Sequence, residues 1–220
     1  MCGRYSLTTP VESMAGLFGF DERPNLAARY NIAPTQDVLI VRSGEAGAVQ
    51  RGAVHGVTVR WGLTPPWAKS LDDGVRMINA RSETVQEKPS FRVAYGARRC
   101  LIPADGFYEW RKLGTGKQPY RIALRDNSVF AFAGVWETWR APTGENVETC
   151  AILTTTATPA LTRIHHRMPV ILDPGDYGRW MTGAPDAAAV LMRPYESDSL
   201  EAYPIGAAVG NVRNDGPELW

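Results

Sequence analysis

Histidine and cysteine are scarce in this chain, with three of each among 220 residues. Cys2, Cys100 and Cys150 are far apart and form no C-x-x-C pair, a spacing that argues against a thiolate zinc site or a disulfide framework and for reduced thiols. Only His55 stands beside the adjacent His165 and His166, so no multi-histidine metal centre is expected, nor any cofactor. No apolar run approaches the roughly 18 residues of a membrane span. Residues 1–25 lack a signal-peptide pattern, and the expected location is cytoplasmic. An excess of one charge sign is missing too. At a formal net charge of +1 the chain lacks the basic footprint of a bulk electrostatic nucleic-acid binder, so any such contact must come from a local arginine cluster. Repeats and long linkers are also absent, which leaves one domain over residues 1–220.

What is present reads as alternating short elements. Thr9-Pro10-Val11-Glu12 reads as a helix start, with Thr9 as N-cap and Glu12 closing a capping box; Val11, Met14, Ala15 and Phe18 share a face and Gly19 stops it. Tyr30 to Pro34 reads as a loop before a strand at Val38 to Val41, and residues 43–56 as a hairpin or surface excursion. The strand Thr58 to Trp61 runs into a loop that Pro65 and Pro66 stiffen and that displays Trp67. A turn at Asp72-Asp73-Gly74 precedes Met77 to Thr84. Ser90 is expected to cap a short helix with Phe91, Ala94 and Tyr95 inward and Arg98-Arg99 at its basic end. Strands follow at Cys100 to Ile102, Gly106 to Trp110, Tyr120 to Leu124, Val129 to Val135 and Thr149 to Thr154. Asp173-Pro174 opens a helix through Trp180, and Ala189 to Met192 reads as a strand. The pattern predicts an α+β fold in which a mixed, largely antiparallel sheet curls toward a barrel, with flanking helices.

The chemistry begins at Cys2. Once Met1 is removed, the chain would start with a 1,2-aminothiol whose amine titrates at about 7.7–8.0 and whose thiol titrates near about 8.5. Such a pair captures one aldehyde twice, as a Schiff base and then as a five-membered thiazolidine. Cys2 can equally be a packed small hydrophobe or a residue left behind a retained Met1. Glu109 lies in the aromatic run Phe107-Tyr108-Glu109-Trp110. As a strand residue it shares a face with Phe107, where partial desolvation would suit it to carrying a proton; the other reading is a strand glutamate paired with a cross-strand arginine. Asn79 and Arg81 share a face of an extended segment, an amide for a hydroxyl or carbonyl and a fork for a phosphate, although turn Asn and surface Arg are common. His165 and His166 precede Arg167-Met168-Pro169, and an extended backbone would send the two rings to opposite sides with Arg167 on the side of His165. Trp67 can stack on a base, wedge against a duplex end or pack into the core.

Taken together, Met1-Cys2-Gly3-Arg4-Tyr5, Tyr30-Asn31-Ile32-Ala33-Pro34, Arg60-Trp61-Gly62-Leu63, Asn79-Ala80-Arg81-Ser82-Glu83-Thr84, the run from Arg99 to Trp110 and His165-His166-Arg167-Met168-Pro169 resemble the SOS response-associated peptidase (SRAP) family of abasic-site processing proteins. The resemblance runs in order to the closing Asp215-Gly216-Pro217-Glu218-Leu219 segment. It implies a single α+β domain with a curled β core, and covalent capture of abasic sites in single-stranded DNA, with single-strand/double-strand junctions as a further partner and association with the nucleoid. By position it implies Cys2 as nucleophile with Asn79, Glu109 and His165 in the active site. Arg4, Asn31, Pro34, Trp67, Arg81, Thr154 and Arg167 fall at positions used around the DNA backbone and the lesion. It further implies self-catalysed removal of Met1 and a strand-cleaving lyase side path, without metal or cofactor, in what is expected to be a monomer. The rivals are an N-terminal-nucleophile amidohydrolase, a class that also begins Met-Cys-Gly, and a noncovalent reader of DNA junctions in which Cys2 is incidental.

Overall fold

The architecture follows from where strand-forming runs find partners. A computed structural model describes residues 2–44, 53–195 and 198–220. In chain order its elements are β1 (Tyr5–Leu7), α1 (Val11–Phe18), β2 (Arg29–Ile32), β3 (Asp37–Ser43), β4 (Val54–Trp61), β5 (Asn79–Arg81), α2 (Pro89–Ala97), β6 (Arg99–Ala104), β7 (Gly106–Leu113), β8 (Gly116–Leu124), β9 (Phe130–Arg140), β10 (Asn146–Thr156), α3 (Pro159–Thr162), β11 (Arg167–Pro169), β12 (Ile171–Leu172), α4 (Tyr177–Thr182), α5 (Pro185–Ala189) and β13 (Leu200–Pro204).

Five strands close on themselves. β10 pairs with β4, β4 with β3, β3 with β6, β6 with β9 and β9 with β10, antiparallel except at the β4–β10 contact. Closure removes the open edges of a sheet, and the expected barrel is present. Its strands are apolar and buried on both faces, with Ile40, Val41, Leu101, Ile102, Phe132, Val135 and Ile152 each at 0% exposure. β10 outruns this ring, and its last residues carry β5 on one side and β11 on the other. Thr154 therefore faces Arg81 across one ladder and Pro169 across the other, and Thr156 faces Arg167.

A second, antiparallel sheet has the order β13-β8-β7-β1-β2. Aromatic edges join it to the barrel: the Phe132 ring lies 5.8 Å from Tyr5 and 6.0 Å from Phe107, and Tyr5 lies 5.3 Å from Trp61. Such contacts each add about 0.5–1.5 kcal/mol beyond burial, and they fix β1, which carries the start of the chain. The C-terminal residues Ile205, Val209 and Leu219 cover the outer face of this sheet around Tyr108, with Trp220 lying 3.8 Å over the Arg121 guanidinium. Gly106 permits that packing, because a Cβ there would meet the Arg121 guanidinium at 2.9 Å.

Several local expectations are corrected. Pro10 holds the N-cap place of α1 and no side chain caps it. Thr8, just ahead, is drawn the other way, its amide and hydroxyl both donating to Asp105. At the other end Gly19 closes α1 in the left-handed region at φ 77°. Tyr30 to Ile32 belong to β2 rather than to a loop, since β1 offers them a ladder. Ser90 is not the cap of α2, because Pro89 takes the first helical position after Lys88. The Asp72-Asp73-Gly74 turn is a 3-10 segment with a Ser70–Asp73 capping box. Ala189 to Met192 do not form a strand: Pro185 opens α5, Ala188 is buried in it, and Leu191 and Met192 return hydrogen bonds to Ala188 and Ala189. Asp173 and Pro174 do lead toward Trp180, through a 3-10 turn into α4 and without a side-chain cap. The predicted hairpin is flanked as expected, Ser43 facing Val54, while residues 45–52 lie outside the described residues, as does Met1.

All three cysteines are free thiols. Among the described residues no helix is long and apolar enough to cross a membrane, and no cluster of three metal-ligating side chains occurs.

Candidate active site

The segment leading into β1, a strand held between β7 and β2, places Cys2 in the interior, at 0% exposure. Its thiol lies 3.9 Å from the Arg4 carbonyl, which also accepts the Tyr108 N–H at 3.0 Å. The Asn79 amide donates to the Cys2 carbonyl at 2.9 Å, which ties the start of the chain to β5. Asn79 Oδ1 is buried and has no hydrogen-bond partner among the described residues. It is an acceptor left over in the site.

Glu109 stands on β7 with Phe107, as strand alternation requires, facing a small pocket lined also by Ile122, Leu161, Ile164, His165, Arg167 and Met168. Burial among these apolar groups raises its pKa to about 7. Burial also pushes the Cys2 thiol far up, and the negative charge of Glu109 pushes it further. Glu109 Oε1 is 4.0 Å from His165 Nδ1. Desolvation lowers the pKa of His165. That nitrogen is served twice: the Arg167 N–H donates to it at 3.0 Å when the ring is neutral, and a protonated ring can donate to the Arg167 carbonyl at 3.1 Å. At neutral pH the site thus holds a protonated thiol, an uncharged imidazole and a carboxyl group near its midpoint. Of the three, Glu109 is the one that exchanges a proton most readily there.

The two histidines do not diverge. Their rings stack at 4.4 Å and 27°, because the chain leaving α3 is still turning, with the His165 N–H bonded to Leu161, and becomes extended only at Arg167.

The cationic residues border this site, Arg167 directly through His165. Arg4 donates to Asn31 Oδ1 and the Val209 carbonyl at 2.8 Å each and to the Gly210 carbonyl at 3.1 Å. Asn31 is wholly buried, its amide donating to the carbonyls of Val209, Asn211 and Asn214. Thr154 is likewise buried and accepts from Arg167 through its carbonyl at 2.6 Å and its hydroxyl at 3.3 Å. Arg81 is exposed beside it on β5. Pro34 and Trp67 sit on two loops anchored at Trp61. Thr35, held at φ 72°, donates to the Trp61 carbonyl, and Gly62 and Thr64 fasten the second loop to β10, leaving Trp67 60% exposed.

Sequence reasoning missed two acids. Glu83 binds Arg167 in a bidentate pair at 2.5 and 2.9 Å. Asp215 accepts the backbone N–H groups of Tyr30 and Asn31 and pairs with Arg29 at 2.9 Å. Glu83 had a signal in its place just beyond Arg81 in one charged block. Asp215 had none locally, since its partners lie at the other end of the chain.

Comparison with known proteins bears on this geometry. The family model described as SOS response associated peptidase (SRAP) matches residues 1–212. Abasic site processing protein YoqW of Bacillus subtilis is 40% identical, with 100% of this chain and 98% of that protein covered. YedK of Escherichia coli, also an abasic site processing protein, is 31% identical over 100% of this chain and 98% of its own. HMCES of Gallus gallus is 37% identical over 73% of this chain and 55% of its own length. A crystal structure of a Bacteroides thetaiotaomicron protein superposes with a TM-score of 0.86 at 28% identity, covering 99% of this chain and 97% of that one.

Proposed function

The chain belongs to the SOS response-associated peptidase family, and from that premise we propose that it senses abasic sites in single-stranded DNA and captures them covalently through Cys2. The observation that carries this reading is convergence. Residues far apart in sequence are linked in pairs: Asn79 holds the Cys2 carbonyl, the charge of Glu109 acts on the Cys2 thiol, and Glu109 and His165 line one small pocket in which the carboxyl group has a pKa of about 7.

The chemistry starts with hydrolysis of the Met1–Cys2 bond, which frees the Cys2 amine. An abasic sugar in its open form is an aldehyde. The amine adds to it and expels one water as the imine forms. The Cys2 sulfur then closes on the imine carbon while the thiol proton passes to nitrogen, giving a thiazolidine with a net loss of one water. A buried thiol with a raised pKa needs a base, and Glu109 is the group placed to take that proton and hand it on. His165, uncharged and 4.0 Å from Glu109, serves the ring-opening proton transfers of the sugar. Asn79 orients the sugar oxygens through its spare Oδ1 while its Nδ2 holds Cys2. A Schiff base also acidifies the adjacent C2′ proton, so slow strand cleavage by β-elimination accompanies capture.

Around this centre, Arg4, Arg81 and Arg167 neutralise phosphates, and Pro34 and Trp67 shape and stack against the strand. Asn31 and Thr154 are too deeply buried to reach a phosphate; their part is to hold Arg4 and Arg167. With few phosphate contacts, noncovalent affinity is modest, and log K falls against log salt by about 0.7 for each phosphate neutralised on a single strand.

Intact mass spectrometry tests the reading. Loss of Met1 and a heat-stable addition of one abasic oligonucleotide minus water are expected with the wild type, and no such addition with Cys2→Ala. Loss of Met1 without an adduct, together with glutaminase activity, would move the chain to the amidohydrolase reading. Denaturation-resistant retention of DNA by Cys2→Ala would overturn capture through Cys2.

A further inference from the structure

Of the three arginines assigned to DNA, Arg167 differs from Arg4 and Arg81. Among the described residues it alone has a carboxylate partner. Glu83 occupies both terminal nitrogens of its fork, at 2.5 and 2.9 Å, which is the geometry in which a guanidinium takes two oxygens of a phosphate. The guanidinium is otherwise fixed from behind by the Thr154 carbonyl at 2.6 Å, and its backbone N–H holds His165. Exposure separates the partners. The Arg167 side chain is 11% exposed and the Glu83 side chain 47%, so the acid is the outer member of the pair. A strand approaching Arg167 meets a negative charge first. Glu83 follows β5 in a turn and can swing into water without unpairing a strand.

We propose that Glu83 is a positioning residue for Arg167: its carboxylate stands in for a DNA phosphodiester, holding the fork in its phosphate-binding pose until a backbone phosphate displaces it. This rests on the reading of the site as one for single-stranded DNA. Hydrogen bonding to Arg167 lowers the Glu83 pKa, so the stand-in is ionised at neutral pH. The pair opens to water on its Glu83 side, and a phosphate would take the same two nitrogens in the same bidentate geometry, so exchange trades like for like. The consequence is selectivity. A strand that does not bring a phosphate onto Arg167 meets repulsion there, whereas one correctly seated at the lesion trades one anion for another and leaves the Arg167–His165 contact undisturbed.

The test uses the full chain and an intact oligodeoxynucleotide without a lesion, so that the capture chemistry plays no part, with binding followed by fluorescence anisotropy across a salt series. Glu83→Gln keeps the size of the side chain and removes the charge. It should bind about three- to tenfold tighter than wild type, with the salt slope steeper by up to about 0.7, one phosphate's worth. Glu83→Asp should return both values toward wild type, and Arg167→Gln in the Glu83→Gln background should erase the gain. A merely structural role predicts weaker binding and an unchanged slope, so unchanged or weaker binding by Glu83→Gln overturns the proposal. Capture of an abasic oligonucleotide is measured in parallel on the wild type. If the wild type captures but Glu83→Gln is not tighter, the Glu83 inference alone fails. If the wild type neither binds nor captures, both readings fail.

Discussion

Asp105 and Glu109 are neighbours in sequence and equally hidden, at 2% and 6% exposure, yet their surroundings are opposite. Asp105 is ringed by donors: the Ser6 hydroxyl at 2.6 Å, the Thr8 amide at 2.5 Å, the Thr8 hydroxyl at 2.7 Å, and the Arg121 guanidinium 3.7 Å away. Glu109 faces Phe107, Ile122, Leu161, Ile164 and Met168, with one imidazole 4.0 Å off, and burial lifts its pKa to about 7. One β bend thus carries a carboxylate whose charge is compensated and a carboxyl group whose charge is poised. The first pins the start of the chain to the sheet; the second titrates near neutral pH. Burial is common to both acids; what differs is how apolar the surroundings are, and for Glu109 desolvation is the largest influence on its proton.

The comparison can be broken from either side. The largest effect is expected from Glu109→Gln, which should slow adduct formation by about 10²–10⁴-fold while leaving binding of an intact strand within about twofold, read by single-turnover denaturing gels against anisotropy. Equal adduct rates would reduce Glu109 to a second Asp105. Asp105→Ala should destabilise the fold by about 3–5 kcal/mol in urea unfolding, since it strands a buried arginine, with little change in capture per folded molecule.

A pH series sharpens the contrast further. Because Glu109 has a raised pKa when folded, the native state holds its proton between about pH 4.5 and 7 where the unfolded chain does not. Relative to Glu109→Gln, the wild type is therefore most stable below pH 4.5 and loses on the order of 3 kcal/mol as pH rises from there through 7. The adduct rate should climb through the same inflection in the wild type, as the base form appears, and lack it in Glu109→Gln. The smallest change is Thr8→Val, which removes one of the donors to Asp105 and should cost about 1 kcal/mol with no effect on the pH profile.

Much of this was legible in the sequence. Strand alternation put Glu109 with Phe107 and away from Tyr108 and Trp110, and short β runs between turn residues indicated a curled, largely antiparallel sheet. The errors fell where local cues competed. Thr9 and Ser90 were plausible caps, but a proline beside each took the first helical place or the cap, and Asp105 drew Thr8 onto the sheet. Ala189 to Met192 lacked an alternating pattern, and Pro185 had already started a helix. The stacking of His165 on His166 depended on a turn that dipeptide reasoning could not place.

The sequence by itself determined the residue types and the local periodicity: a cysteine at position 2, a glutamate among aromatics, and short strand-forming runs between turns. These are short-range properties, set by covalent order and by the side-chain alternation of a strand. Only the tertiary structure decided which of those groups share a low-dielectric space. The extension of β10 beyond the barrel set β5, with Asn79 and Arg81, on one of its edges and β11, with Arg167, on the other, and the return of the C-terminal segment fastened Arg4 and Asn31. The proton affinity of Glu109 and the masking of Arg167 by Glu83 depend on neighbours brought from distant parts of the chain, and desolvation and Coulomb energy follow distance in space, not separation in sequence.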